Sequence, residues 1–183
     1  MKILSTAIDG VLILEPTKFE DSRGYFFESY SKRELDKAVG YEINFVQDNQ
    51  SSSKRGVIRG LHFQRPPHTQ AKLVRCIHGS VIDVAVDLRK DSPTYGKHVA
   101  VELSSTNLRQ LFIPRGFAHG FAVRSELAVF QYKCDNYYCP ESEGGISIKD
   151  TSLGIEWGID IDKAVLSEKD LRLLLFKDFD SCF

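Results

Sequence analysis

Between Gly56 and Arg75 the chain reads GVIRGLHFQRPPHTQAKLVR. Arg59, His62, Gln64, Gln70 and Lys72 stand there in an otherwise apolar, strand-like stretch. Charged and titratable side chains are seldom set along core strands unless they line a cavity. An imidazole that changes charge near neutrality, beside an ammonium, is what proton abstraction next to a carbonyl requires. A second basic segment, PRGFAHGF from Pro114 to Phe121, has the same mixed character.

Metal chemistry is the first rival reading. The five histidines are His62, His68, His78, His98 and His119, and none forms HxH or HxxxH. Position 64, two beyond His62, is Gln, so a three-imidazole platform is missing and no metal is expected. No Gly-rich phosphate loop precedes a helix, so no Rossmann or P-loop cofactor site is expected either. Arginines such as Arg23 and Arg59 remain able to hold phosphate.

The elements that must position these groups are mostly short strands. Apolar or alternating runs predict strands at Val11–Leu14, Gly24–Tyr30, Phe45–Gln50, Val57–Gln64, Lys72–Ile77, Val81–Leu88, His98–Leu103, Gln110–Ile113, Gly120–Val123 and Ala128–Cys134. Turns fall at His78-Gly79, Asp91-Ser92-Pro93 and Pro114-Arg115-Gly116. Many short strands at this spacing predict an antiparallel barrel or jelly roll, mostly β, with a few short peripheral helices. Ser31 to Glu34 forms a capping-box pattern and Gly40 stops the helix it starts. Ser167 to Asp170 is read as the cap of a second helix running towards Phe176. No linker or repeat divides the chain, so residues 1–183 are read as one domain.

Within this frame the spacing poses specific questions. Strict alternation puts Arg59 and His62 on opposite faces of a strand, and a glycine bulge at Gly60 would bring them together. His62 alone reads equally as a satisfied core histidine, and Lys72 as an edge lysine. Tyr132 shares parity with Ala128, Phe130 and Cys134, hence faces inward, as a core tyrosine or a cavity group. Asp170 is either part of a helix cap or a carboxylate orienting His62.

The whole pattern resembles the dTDP-4-dehydrorhamnose 3,5-epimerase family, a branch of the cupin jelly rolls. The resemblance runs from about Val11 to Asp170. It rests on FEDSRGYFFESY, FVQDNQSSS, GVIRGLHFQ, QAKLVRCIHGSVIDVAVDLRKDSPTYGKH, FIPRGFAHGF and FQYKCDNYYCPESEGGI, in the family's order. It implies double inversion, at C3 and C5, of dTDP-4-dehydro-6-deoxy-D-glucose, without a cofactor. By resemblance His62 is the base, Asp170 its partner, Tyr132 the acid and Lys72 the group that stabilises the enolate. Arg23, Glu28, Gln47, Asn49, Arg59 and His119 match positions that contact the nucleotide-sugar. Tyr138 matches the aromatic that stacks on thymine, and Glu143 and Lys169 also fall on binding positions. Asp83 is a further cavity candidate, as a partner of Lys72. A homodimer with the N-terminal region contributing across the interface is implied as well. The chain departs from the family pattern at Ile148-Lys149-Asp150-Thr151 and at Gly158, in what reads as a surface turn.

Three alternatives compete: a single-carbon epimerase on a related 4-keto sugar, a silent sugar-nucleotide-binding cupin, and a metal-dependent cupin oxygenase. The complete acid, base and oxyanion set argues against the second, and Gln64 against the third. The formal charge of −1, from 24 basic and 25 acidic side chains, argues against nucleic acid as a partner. No apolar run reaches membrane-spanning length. Cys76, Cys134, Cys139 and Cys182 form no CxxC pair, and with no convincing signal peptide a reducing cytoplasm is expected.

Overall fold

The computed structural model describes residues 1–183. Its strands are β1 (Lys2–Ser5), β2 (Leu12–Glu15), β3 (Phe19–Asp21), β4 (Gly24–Phe26), β5 (Gln47–Lys54), β6 (Ile58–Gln64), β7 (Lys72–His78), β8 (Ser80–Asp87), β9 (His98–Ser104), β10 (Gln110–Ile113), β11 (Phe117–Val123), β12 (Leu127–Cys134) and β13 (Glu143–Gly145). One helix, α1, spans Lys32–Val39. A six-stranded sheet, β1-β2-β10-β7-β12-β5, faces a five-stranded sheet, β13-β6-β11-β8-β9; β3 and β4 form a separate hairpin. Every pairing between these strands is antiparallel, as the jelly-roll reading requires.

Three apolar layers explain the sequence pattern. Val74, Leu111, Phe130 and Ala128 from one sheet meet Val81, Ala85, Phe121 and Val123 from the other, forming the inner core. The outer face of the five-stranded sheet is covered by the C-terminal segment, with Trp157, Ile148 and Leu153 packed on Val84, Val86 and Phe63. The outer face of the six-stranded sheet is covered by the α1 region through Leu35 and Ile43, on Leu73 and Phe112. Burying side chains of this size is worth ~1.5–3 kcal/mol each, which is what holds the covering segments down. With both faces buried, β11 is buried at every position, and its His119 lies inside.

Gly60 does break the alternation. The three residues His119 to Phe121 on β11 oppose the four residues Arg59 to His62 on β6. Leu61 and Phe63 then point to the outer layer, while Arg59, His62 and Gln64 line the inside. Gly60 has φ +132°, and a Cβ there would sit 2.5 Å from Gly120 Cα. Only glycine accommodates that close backbone approach.

Several expectations are corrected. No second helix follows Ser167. Asp170–Arg172 and Phe176–Asp178 are isolated 3₁₀ turns. Between them the chain is drawn out as Leu174 bridges Ile146, Ser147 N–H donates to the Leu174 carbonyl at 2.8 Å, and Phe176 N–H donates to Asp150 at 2.5 Å. Pairing with a neighbouring segment thus replaces helical hydrogen bonds. Ser31 makes no side-chain cap on α1, although Gly40 ends it in the left-handed conformation as expected. The strand read over Gly24–Tyr30 stops at Phe26, because only the short β3 pairs with it. The stretch that departs from the family pattern is a turn with Lys149 exposed, but Ile148 and Asp150 are buried in it and anchor the C-terminal segment.

Candidate active site

A cavity of about 610 Å³ opens between the sheets. β6, β11 and β13 supply one wall, β5, β7 and β12 the other, and Val165–Asp170 the rim. His62 and Tyr132 therefore enter from facing sheets.

His62 Nε2 lies 2.5 Å from Asp170 Oδ1. Asp170 is nearly fully buried, and its own N–H donates to Ser167 Oγ at 3.1 Å. The Ser167 cap read from the sequence is real, but it orients a carboxylate rather than starting a helix. Burial pushes the Asp170 carboxyl up. The hydrogen bond and charge of His62, with Ser167, outweigh that and hold it below its ordinary value.

Lys72 Nζ sits 5.9 Å from the centre of the Tyr132 ring. Burial pulls the lysine below its ordinary value, against the opposing influence of Cys134, Asp83 and Glu143. Burial also raises the Tyr132 phenol, with Cys134 adding to it and Arg59 opposing, so at neutral pH the phenol holds a proton to give. Phe130, two residues back on the same face, is fully buried, whereas Tyr132 reaches the cavity. The tethered core tyrosine is thereby disfavoured.

His119 stands opposite His62 in the β11–β6 register and is bonded to Asp83 rather than to His62, Nε2 to Oδ2 at 2.9 Å. The two imidazoles thus belong to separate carboxylate pairs. No group of three or more His, Cys, Asp or Glu side chains converges as a metal would need.

A family model described as dTDP-4-dehydrorhamnose 3,5-epimerase matches residues 5–178. The chain belongs to this family. It is 57% identical over 157 residues to the dTDP-4-dehydrorhamnose 3,5-epimerase of Salmonella typhimurium, covering 86% of each chain. The structure superposes on the dTDP-4-dehydrorhamnose 3,5-epimerase of Elizabethkingia anophelis with a TM-score of 0.93 at 52% identity, covering 97% of each chain. It matches a 3,5-epimerase of Legionella pneumophila, solved with dTDP-4-keto-L-rhamnose, with TM-score 0.93 at 47% identity, covering 98% of this chain and 94% of that one.

In this member of the 3,5-epimerase family the remaining expected residues divide into two groups. Gln47, Asn49, Arg59, His119, Tyr138, Glu143 and Lys169 all line the cavity. Tyr138 Oη donates to Glu143 Oε2 at 2.6 Å, and Lys169 pairs with the other carboxylate oxygen. The bond to Glu143, with burial adding, pushes the Tyr138 phenol up to about 12; burial opposes but Lys169 and Tyr138 together hold Glu143 below its ordinary value. Arg59 Nε donates to Ser53 Oγ at 3.0 Å. Arg23 and Glu28 are exposed and lie outside the cavity; Arg23 is paired with Asp21 on the β3–β4 hairpin, Nη2 to Oδ2 at 2.6 Å. Asp83 contacts His119, not Lys72.

Sequence reasoning missed the role of Gln64 in this epimerase. Its Oε1 accepts from Cys139 N–H at 2.8 Å and so ties the Tyr138 loop to the strand that carries His62. Gln47 does the same from β5, accepting from Tyr138 N–H at 3.0 Å. The available signal was parity: Gln64 is two residues beyond His62 on β6 and shares its face. Ser51 also lines the cavity, two residues beyond Asn49 on the same face of β5.

Proposed function

We propose that this chain inverts C3 and C5 of dTDP-4-dehydro-6-deoxy-D-glucose, giving dTDP-4-dehydro-L-rhamnose. Both carbons flank the C4 ketone, so loss of either proton leaves an enolate whose charge rests on the C4 oxygen. His62 removes the proton, and Asp170 fixes its ring and favours the charged imidazolium that forms. Lys72 stabilises the enolate oxygen. Tyr132 returns a proton from the opposite wall, which makes the outcome inversion rather than exchange. The observation that carries this reading is the placement of His62 and Tyr132 on facing sheets with Lys72 beside the phenol. A positioned proton-transfer group contributes ~10²–10⁴-fold. Cation and phenol do the electronic work, so the steps call on no redox cofactor. Thymine is held by Tyr138, and Arg59, Gln47 and Asn49 take polar parts of the nucleotide-sugar.

The homodimer belongs to the same proposal. The β3–β4 hairpin carries Phe19, Tyr25 and Phe26 exposed at 61%, 56% and 70%. Apolar side chains concentrated on a projecting hairpin suit an interface. We assign it to the cavity mouth of a second copy, where Arg23 and Glu28 complete the nucleotide site. The cytoplasm suits its four free thiols, Cys76 and Cys134 among them buried. No helix is long and apolar enough to cross a membrane.

The test is incubation with dTDP-4-dehydro-6-deoxy-D-glucose in D₂O, followed by NMR at C3 and C5. Deuterium and inversion at both carbons support the reading; reaction confined to one carbon replaces it with single-carbon epimerisation. Sedimentation analysis reads the dimer, and a fully active monomer overturns the hairpin assignment.

A further inference from the structure

Behind His119 lies a buried carboxylate that the proton-transfer steps do not use. Asp83, on β8, is wholly buried. Its Oδ2 accepts from His119 Nε2, and its Oδ1 has no hydrogen-bond partner. A buried carboxylate oxygen without a partner is costly and uncommon, which calls for a compensating charge. Lys72 lines the same cavity as His119, the residue bonded to Asp83, and is the cation that answers this need. Its ammonium feels Asp83 through space but is bound by no carboxylate.

The geometry keeps the two apart. Asp83 is fixed in register with Phe121 on β11 and Val101 on β9, and His119 holds its free end. Had the carboxylate reached Lys72, the ion pair would have consumed N–H donors that an oxyanion needs.

We propose that Asp83 is a positioning residue for the epimerisation: it tethers His119 through Nε2–H and supplies counter-charge to Lys72 from beyond contact distance, leaving the ammonium's hydrogens free for substrate. The assignment rests on the reading of Lys72 as the enolate-stabilising group. It also fixes the His119 ring, which lines the cavity, with its Nε2 edge turned away towards β8.

The charged neighbours are few. Around Asp83 stand His119 from β11 with Lys72 and Cys76 from β7; around Lys72 stand Tyr132 and Cys134 from β12 and Glu143 from β13. His62 and Arg59 face His119 and Phe121 from β6. Burial drives the lysine down, while Cys134, Asp83 and Glu143 hold it up. Removing the Asp83 charge therefore lets Lys72 lose its proton at lower pH.

Asp83→Asn tests this, because the amide oxygen still accepts from Nε2–H while the charge is lost. We expect kcat to fall ~10-fold or more with KM little changed. The alkaline limb of the kcat–pH profile should move to lower pH, by about one unit. The ¹³Cε/¹⁵Nζ NMR titration of Lys72, read without substrate, should move the same way. That titration decides the Asp83 assignment even if wild-type turnover disproves the activity itself. An unchanged Lys72 titration in the folded variant overturns the proposal. If Asp83→Asn does not fold, long-range ¹H–¹⁵N spectra of wild-type His119 decide instead. Hydrogen on Nε2 supports the tether; a neutral ring with its hydrogen on Nδ1 cannot donate to Asp83 and overturns it.

Discussion

His62 Nε2 and Asp170 Oδ1 stand 2.5 Å apart across 108 residues of chain. The contact joins the bulged strand β6 to the C-terminal segment that closes the cavity. Anything that loosens that segment from the outer face of the five-stranded sheet therefore separates the base from its carboxylate.

His62→Ala should abolish deuterium exchange at both C3 and C5 while dTDP still binds. One base beside the ketone serves both carbons, whereas Tyr138, Arg59 and Gln47 hold the nucleotide from elsewhere on the wall. Exchange by NMR and dTDP titration by calorimetry read the two effects. Near-normal turnover in a folded variant removes His62 as the base.

Tyr132→Phe should let exchange outlive inversion. The substitution deletes one hydroxyl and keeps the ring that packs near Phe130 at 6.3 Å. His62 still removes the proton and Lys72 still stabilises the enolate, but the opposite face lacks its donor. Deuterium should appear without a matching yield of L-configured product. Equal retention of both activities would falsify the assignment of Tyr132.

Asp170→Asn should lower kcat by ~10²-fold or more, because the imidazolium loses its counter-charge. The wild-type carboxyl sits below its ordinary value of 3.8 when folded. Its stabilising contribution is therefore present above pH 3.8 and is lost as pH falls through the lower folded value. Thermal melts of wild type and variant should differ most near neutrality and converge in acid. A difference that grows towards acid pH contradicts the ion pair.

Asp150→Ala should both destabilise the fold and impair catalysis at a distance. Its carboxylate accepts from Ser152 N–H at 2.9 Å, Ser152 Oγ at 2.5 Å and Phe176 N–H at 2.5 Å. Losing hydrogen bonds to a charged acceptor costs about 1.5–3 kcal/mol. The segment carrying Lys169 and Asp170 is then less firmly seated. Urea unfolding with parallel kcat measurement checks this; a destabilised variant with wild-type kcat separates the anchor from the site.

The sequence by itself determined the strand ladder, the jelly-roll class and most of the cavity residues. Alternation at Val81–Leu88 and Ala128–Cys134 is a local signal, set by the two-residue period of extended backbone. The same period posed the question of a bulge at Gly60, and the β6–β11 register answered it by bringing Arg59 and His62 to one side. What the sequence left open was decided at long range. Whether Ser167 starts a helix depended on backbone pairing of Leu174 with Ser147 and on Asp150 capturing Phe176. Whether Asp83 meets Lys72 or His119 depended on the β8–β11 register, in which Asp83 stands opposite Phe121, two residues from His119. Arg23 lies on the exposed β3–β4 hairpin and Glu28 just beyond it, so neither lines the cavity that holds His62. Local periodicity says which face a side chain takes; only the packing of distant segments says which other side chain it meets there.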